Sequence, residues 1–215
     1  MPKLRVPIQS VSLDGYAAGP DQSLHNPLGV GGEQLHDWFI ATRVGRAMMG
    51  NESRDDGPLT VDDEMTADNE IGFGATIMGR NMFGPIRGEW PDETWTGWWG
   101  DDPPYHHDTF VLTHHPRPSV EMAGGTTFHF VTDGIEAALD RAVKAANGLD
   151  VRLGGGPSTI QQYLRAGFVD EMLVAIVPIL LGGGERLLDN MEGSGLVVSS
   201  FLASPSVMHV RLTRP

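Results

Sequence analysis

The chain of 215 residues contains no cysteine. This absence excludes disulfide bonds, zinc sites built from thiolates and a cysteine nucleophile. A chain without cysteine also fits the reducing environment of the cytosol, so we expect a cytoplasmic location.

Basic residues are scarce. The chain has 15 Lys and Arg against 28 Asp and Glu, which gives a net charge of -13 and a pI near 4.8. Nucleic-acid binding depends on neutralising phosphates with Lys and Arg, so we expect no nucleic-acid partner. A phosphorylated ligand would have to be bound by backbone amides and a few well-placed cations.

Long apolar runs are also missing. The longest covers residues 172–181, is interrupted by Pro178 and is too short to cross a bilayer. Residues 1–7 lack the apolar core of a signal peptide. We therefore expect a soluble protein without a membrane partner.

The remaining composition is that of an ordinary globular enzyme, and the length fits a single domain over residues 1–215. Strand and helix patterns alternate along the chain, which predicts an α/β sheet, and the last two strands predict an antiparallel hairpin. The predicted strands are 4–13, 75–80, 110–113, 128–131, 151–153, 171–177, 196–202 and 207–213; the predicted helices are 33–46, one within 61–71, 133–148 and 158–166; residues 15–32 and 84–108 are predicted loops.

The strongest local signal is the segment 149–160, in which a buried strand leads through Gly154-Gly155-Gly156 into a helix. Glycines let backbone N–H groups approach a ligand, and a helix N-terminus favours negative charge, so the segment suits a pyrophosphate. A tight strand-to-helix turn without a ligand explains the pattern equally well. Pro157 lies near the first turn, and Ser158 or Thr159 is predicted to cap this helix.

A second signal is Gly79-Arg80, which follows a predicted strand, so that an arginine stands where it could bind a phosphate. Such arginines are more often merely solvated. In the helix at 133–148, Asp133 and Glu136 have the spacing of a capping box.

Histidines and acidic residues give no metal signature. The adjacent pairs His106-His107 and His114-His115 would point to opposite faces of a strand, and the acidic runs 55–56 and 62–64 lack the spacing of a calcium loop. We expect no bound metal and a solvated surface at the acidic runs.

Four of the five tryptophans lie in the Pro-rich loop: Trp90, Trp95, Trp98 and Trp99. They can pack the loop onto the domain, contact a second subunit or form a wall over a planar ligand. Packing or a subunit contact is the more usual outcome; Trp90 is the one that we expect to touch a ligand.

Five motifs occur in an order that resembles the C-terminal reductase domain of the bifunctional riboflavin-biosynthesis deaminase-reductases, a relative of dihydrofolate reductase. The resemblance runs from Leu4 to about Arg211, and no deaminase domain precedes it, as in a stand-alone member of the family. The motifs are Ser12-Leu13-Asp14-Gly15, Ile77-Met78-Gly79-Arg80, Phe110-Val111-Leu112-Thr113, Leu153-Gly154-Gly155-Gly156 and the segment 170–183.

The resemblance implies a dihydrofolate-reductase-like fold, a central, mostly parallel sheet flanked by helices, with NADPH across the strand ends. It assigns the cofactor's phosphates to Gly79, Arg80, Asn81 and Met82, its adenosine to Thr113 and His114, and its pyrophosphate to Gly154, Gly155, Gly156, Pro157, Ser158 and Thr159. Arg80 and His114 would favour NADPH over NADH. A homodimer through the sheet edge and the late strands is likewise implied.

The resemblance implies a substrate site at Asp14 and at Leu180, Leu181, Gly182 and Gly183. Trp90 is added to this predicted site from the tryptophan loop and not from the resemblance. Asp14 is the candidate proton donor or orienting residue, although a turn residue before Gly15 explains it equally well. Aligning the first helix through Trp38-Phe39 puts Leu35 where dihydrofolate reductases have an acidic residue, which argues against dihydrofolate. A basic cluster for a ribose phosphate is absent too.

Three functions remain open. The favoured one is an NADPH-dependent reductase that transfers hydride to a small heterocyclic or carbonyl substrate. A nucleotide- or flavin-binding protein without efficient reductase activity would use the same fold but would not consume NADPH. A purely structural or partner-binding protein would have no affinity for a dinucleotide.

Overall fold

The structure, a computed structural model, describes residues 2–51, 57–84, 88–191 and 193–215, with Asn69 described by its backbone only. The acidic pair at 55–56, for which a solvated surface is expected, lies outside these residues. The strands are β1 Leu4–Ser12, β2 Tyr16–Ala18, β3 Phe73–Gly79, β4 Asp108–Leu112, β5 Val120–Glu121, β6 Thr127–Val131, β7 Asp150–Gly155, β8 Glu171–Val177, β9 Glu185–Arg186, β10 Val197–Ala203 and β11 Met208–Thr213. The helices are α1 Asp37–Ile40, α2 Arg43–Met48, α3 Val61–Asn69, α4 Arg80–Phe83, α5 Gly134–Ala145 and α6 Pro157–Arg165, with 3-10 turns at Gly32–Leu35 and Ala123–Gly125.

Nine strands form one sheet in the order β10-β11-β8-β1-β7-β3-β4-β6-β5, and β2 pairs with β9. The pairs from β8 through β1, β7, β3 and β4 to β6 are parallel, whereas β11 pairs antiparallel with both β8 and β10. The predicted α/β class, the mostly parallel sheet and the C-terminal antiparallel hairpin are therefore confirmed.

One face of the sheet is covered by α5 and α6. Ala138 and Ala142 of α5 and Ile160 of α6 are fully buried against the inward-facing strand residues Ile77 and Leu153. This packing forms the main hydrophobic core and holds the start of α6 against the ends of β7 and β3.

The opposite face has two separate apolar clusters. Trp38 and Leu35 pack over β8, while Phe83 and Phe128 form an aromatic cluster over β3, β4 and β6. Between the two clusters, side chains of β1, β7 and β3 line an open cleft. No described helix is long and apolar enough to cross a membrane.

The prediction of one continuous helix over 33–46 is wrong. The segment is broken into a 3-10 turn, α1 and α2, because Thr42 stops the first helix and caps the second: its hydroxyl donates to the carbonyl of Phe39 at 2.7 Å and accepts from the N–H of Gly45 at 3.1 Å. A Cβ at Gly45 would lie 2.1 Å from the oxygen of Phe39, so only glycine fits this tight reversal.

The capping box expected at α5 is also wrong. The carboxylate of Asp133 makes no capping hydrogen bond and accepts instead from Arg141 at 3.1 Å. Asp133 thus forms an exposed ion pair on the helix surface, and α5 begins without a side-chain cap.

Candidate functional site

A cleft with a volume of about 1320 Å³ opens on the sheet. It starts at the carboxyl ends of β3, β4 and β7 and continues over the uncovered face of β1, β7 and β3 between the two apolar clusters. Parallel α/β sheets commonly bind ligands outside the carboxyl ends of their strands. We call the part beside α6 the glycine end and the part beside Phe73 the polar end.

The glycine end is built by the turn from β7 into α6. Gly156, not Ser158 or Thr159, is the N-cap of α6, with Pro157 at the first helical position, so the expected side-chain cap is wrong. No side chain among the described residues caps this helix, and a Cβ on Gly156 would meet nothing within 4 Å. The helix therefore starts at open space, with its N–H groups and the positive end of its dipole towards the cleft. The peptide bond between Gly155 and Gly156 is cis.

The end of β3 packs directly on this turn. A Cβ on Gly79 would lie 2.2 Å from Oγ1 of Thr159, so glycine is needed for β3 and α6 to approach. Met82 packs against Gly154: a Cβ added to Gly154 would lie 3.1 Å from the sulfur of Met82. The two motifs found separately in the sequence thus form one continuous wall.

Arg80 follows β3 and lines the cleft, half-buried. Its guanidinium lies over the ring of Trp90, 3.6 Å from the centroid, and donates to the carbonyl of Gly88. A stacked guanidinium is held in a fixed plane, which suits it for binding a phosphate. Thr113 and His114, after β4, line the same end of the cleft. All of the predicted cofactor residues except Gly155 line this cleft.

The predicted substrate residues lie elsewhere. Neither Asp14, Trp90 nor any residue of 180–183 lines the cleft. Trp90 packs edge-on against Phe83 and Phe130, and its indole donates to the carbonyl of His115 at 2.9 Å. Trp98 and Trp99 line the cleft instead.

Asp14 joins the turn after β1 to the loop after β8. Its carboxylate accepts from the hydroxyl of Ser12 at 2.6 Å, the N–H of Gly182 at 2.8 Å and the N–H of Leu181 at 3.1 Å. The Ser12 hydroxyl, followed by these backbone groups, lowers the pKa of Asp14 to about 2. An ionised carboxylate that accepts these three hydrogen bonds supports the alternative interpretation of Asp14 as a turn residue.

The polar end contains side chains that the sequence analysis did not assign to a ligand site. Arg152 of β7 donates to Glu70 at 2.7 Å, and Nε2 of His107 lies 2.8 Å from the hydroxyl of Thr76. Burial, followed by the positive charge of Arg152, lowers the pKa of His107 to about 4. Tyr105 lies next to them, and burial raises the pKa of its hydroxyl.

His36, which precedes α1, is a further cleft residue that the sequence did not indicate. Burial lowers the pKa of its imidazole, and its Nδ1 is buried without a hydrogen-bond partner in the described structure.

The sequence does contain a signal for Arg152, since an arginine between Val151 and Leu153 interrupts a buried strand. Within the described residues, no three His, Asp or Glu side chains converge as metal ligands.

Comparison with known proteins agrees with this architecture. Residues 8–210 match the RibD C-terminal domain. The chain belongs to this family. No curated protein matches the sequence.

Solved structures with the same fold include a protein described as belonging to riboflavin biosynthesis from Shewanella sp. PV-4, which is 21% identical with a TM-score of 0.59 over 100% of this chain and 99% of that one. A pyrimidine reductase-like protein from Corynebacterium diphtheriae is 15% identical with a TM-score of 0.52, over 99% and 91% of the two chains. Dihydrofolate reductase from Enterococcus faecalis, complexed with NADP(H), is 13% identical with a TM-score of 0.50, over 99% and 96%. The dihydrofolate-reductase-like fold of this family member is thus shown.

Proposed function

We propose that the protein is an NADPH-dependent reductase that transfers hydride to a small heterocyclic or carbonyl substrate in the cleft. The observation that carries the proposal is the uncapped start of α6 at Gly156, which faces open space next to Arg80. Backbone N–H groups, a helix dipole and a fixed guanidinium together fit the phosphates of a dinucleotide. In a chain of net charge -13, such a local arrangement is the physical requirement for binding a polyanion.

Family membership and the fold support a reductase. One of the similar structures is a dihydrofolate reductase complexed with NADP(H). Another is described as a riboflavin biosynthesis protein, and a third as pyrimidine reductase-like. On this proposal Gly154 to Thr159 hold the pyrophosphate, Arg80 with His114 holds the additional phosphate, and Thr113 borders the adenosine.

The chemistry of the reduction comes from bound NADPH, which supplies the hydride. The residues of the chain have to hold the two reactants in contact and exclude water. Trp98, Trp99 and Trp38 supply apolar walls, and the polar end supplies the groups that orient the substrate. Asp14 as the proton donor stays a prediction; its hydrogen bonds favour a role in the turn.

Titration with NADPH and NADH, followed by tryptophan fluorescence and calorimetry, tests the proposal. We expect Arg80→Ala to weaken NADPH binding by about tenfold or more, as for loss of a charge-assisted hydrogen bond, and NADH binding by less. Arg141→Ala, which removes an exposed arginine of α5, is the matched control. If neither dinucleotide binds, the reductase proposal fails. If NADPH binds but no screened substrate consumes it, a binding protein on the same fold is the better description.

We also propose that residues 1–215 form a single domain and that the protein is located in the cytoplasm. We further propose that it forms a homodimer through the edge of the sheet. All residues of β10, the edge strand, are exposed, and they include Val197, Val198, Phe201 and Leu202. Exposed apolar edge strands favour pairing with another chain. Sedimentation equilibrium should show a dimer that Phe201→Lys dissociates and Val143→Lys, on α5, does not. A monomeric wild-type protein would refute the dimer.

A further inference from the structure

Two contacts connect the side chain of Arg80 to the segment at residues 88–90. The central carbon of its guanidinium lies 3.6 Å from the centroid of the Trp90 ring, and the group donates to the carbonyl of Gly88. An arginine that stacks on an aromatic face keeps its N–H groups in the plane of the guanidinium, pointing past the ring, where they can bind a phosphate in pairs. The ring of Trp90 thus sets the plane of the group to which we assign the additional phosphate of NADPH.

Three contacts in turn fix the orientation of Trp90. Its indole N–H donates to the carbonyl of His115 at 2.9 Å. Its ring packs edge-on against Phe83 of α4 and Phe130 of β6, with centroids 6.0 Å and 5.4 Å apart. A directed hydrogen bond together with two edge-to-face contacts favours one orientation of the indole ring. The plane on which the guanidinium lies is therefore determined by the sheet and by the loop after β4.

Trp90 is not among the residues that line the cleft, whereas Arg80, His114 and His115 are. A contribution of Trp90 to ligand binding would thus have to act through the residues that it contacts. One of these is Arg80, and another is the carbonyl of His115, directly after His114. Arg80 and His114 are the two residues that we assign to the additional phosphate, so a single ring is connected to both parts of this subsite.

Such a connection affects one dinucleotide more than the other. The additional phosphate lies on the 2′ oxygen of the adenosine ribose in NADPH and is absent from NADH. A guanidinium that is already held in its binding orientation loses less side-chain entropy when it binds a phosphate than a mobile one. Only NADPH would gain from this. A ring that merely packs the loop onto the domain would instead affect the two dinucleotides equally.

We propose that Trp90 is a positioning residue that sets a preference for NADPH over NADH by holding the guanidinium of Arg80 at the 2′-phosphate. This inference rests on the proposed function for the identity of its ligand. It assigns to Trp90 a role in ligand binding without contact between the ring and the ligand.

Replacement of the ring tests the inference. Trp90→Leu removes the aromatic face, so NADPH binding should weaken by about threefold to tenfold and NADH binding by less than about twofold. Trp90→Phe keeps an aromatic face and loses only the N–H that bonds to His115, so it should retain most of the preference for NADPH. Both affinities are measured by calorimetry on the full chain, because the substitutions alter tryptophan fluorescence.

Trp95→Leu is the matched control for loosening of the loop. Trp95 packs edge-on against Trp98, with centroids 4.7 Å apart, and its indole donates to the carbonyl of Phe83 at 2.9 Å. Its removal takes an equivalent hydrogen-bonded indole from the same loop. We expect Trp95→Leu to lower the melting temperature and to leave the ratio of the NADPH and NADH affinities unchanged. If Trp90→Leu does not fold, Trp90→Met, whose flexible side chain adapts to an apolar cluster, replaces it with the same expected loss of preference.

A double variant shows whether Trp90 acts through Arg80. In Arg80→Ala the guanidinium is already absent, so adding Trp90→Leu should weaken NADPH binding by less than about twofold further. Equal effects of Trp90→Leu with and without Arg80 would overturn the inference, because the ring would then act independently.

The outcomes separate this inference from the reductase function. If the wild type prefers NADPH and Trp90→Leu keeps the preference, the inference is overturned while the cofactor site stands. The same holds if the wild type binds both dinucleotides equally. If the wild type binds neither dinucleotide, the proposed function fails and the role of Trp90 fails with it.

Discussion

Substitution by alanine is expected to have opposite effects at two glycines of the glycine end, Gly79 and Gly156. In Gly79→Ala, the new methyl group would lie 2.2 Å from Oγ1 of Thr159, well inside the 3.4 Å at which ordinary contact begins. Thr159 is buried in the first turn of α6, so relief requires α6 to move away from β3. Overpacking of this kind costs about 1–3 kcal/mol, and 2 kcal/mol would lower the melting temperature of a chain of this size by about 4–8 °C.

In Gly156→Ala, by contrast, the methyl group meets no protein atom within 4 Å, and the φ of -76° is allowed for alanine. We expect the melting temperature to stay within about 2 °C of the wild type, because the lower entropy of the unfolded chain offsets a slightly poorer cap. The methyl group does occupy the space in front of α6, so NADPH binding should weaken by about tenfold or more.

Thermal unfolding and calorimetric NADPH titration of both variants form the assay, with Gly79→Ala/Thr159→Ala as the control. Removing Oγ1 should restore about 1 kcal/mol or more of the stability lost in Gly79→Ala. The interpretation is refuted if Gly156→Ala binds NADPH like the wild type, or if Gly79→Ala is as stable as the wild type.

Three further predictions concern groups away from this turn. The pKa of His107 is lower in the folded than in the unfolded chain, so the unfolded chain binds more protons between pH 6.5 and about 4, and stability should fall as the pH falls through this window. The ring is partly exposed, so we expect about 1 kcal/mol, seen as a difference between the wild type and His107→Gln in melting temperature at pH 7.5 and 5; an equal pH dependence of the two would contradict this. Asp14→Asn should lower the melting temperature at pH 7 and leave NADPH binding unchanged, because Asp14 bonds to Leu181 and Gly182 outside the cleft; unchanged stability with lost turnover, once a substrate is known, would favour the proton donor. Arg117→Met should loosen the tryptophan loop, since the buried Arg117 donates to the carbonyls of Trp95 at 2.7 Å and Glu93 at 2.6 Å; we expect faster hydrogen exchange in residues 88–100 and about 1–3 kcal/mol lower stability, and unaltered exchange would contradict this role.

Features of the fold that depend on residues close together in the sequence could be predicted. The turn at Gly154–Gly156 and the placement of Arg80 after β3 follow from short patterns, and the structure brings both to one cleft wall. The break at Thr42 does not follow from periodicity, because helical spacing continues through it. The hydroxyl of Thr42 stops the first helix by bonding to the carbonyl of Phe39, and the reversal that follows requires glycine at Gly45; periodicity expresses neither contact.

The polar end could not be predicted for a different reason. Its members come from the end of α3, from the loop before β4 and from the middle of β7, and no local pattern connects them. They meet because β7 pairs with β3 in the register that puts Arg152 opposite Thr76, to which His107 is bonded. The substrate residues implied by the resemblance stay a prediction: Asp14 binds the loop at 180–183 through two backbone N–H groups, and neither lines the cleft.

The pairing of Glu70 with Arg152 also bears on where the proposed cofactor can place its phosphates in the cleft. An unpaired Arg152 would be a second cation about 7 Å from the glycine turn, and it would compete with Arg80 for the phosphates of a dinucleotide. Glu70 cancels this charge, so that in the proposed complex the phosphates are attracted to the glycine end. A single ion pair can therefore exclude the phosphates from one end of the cleft.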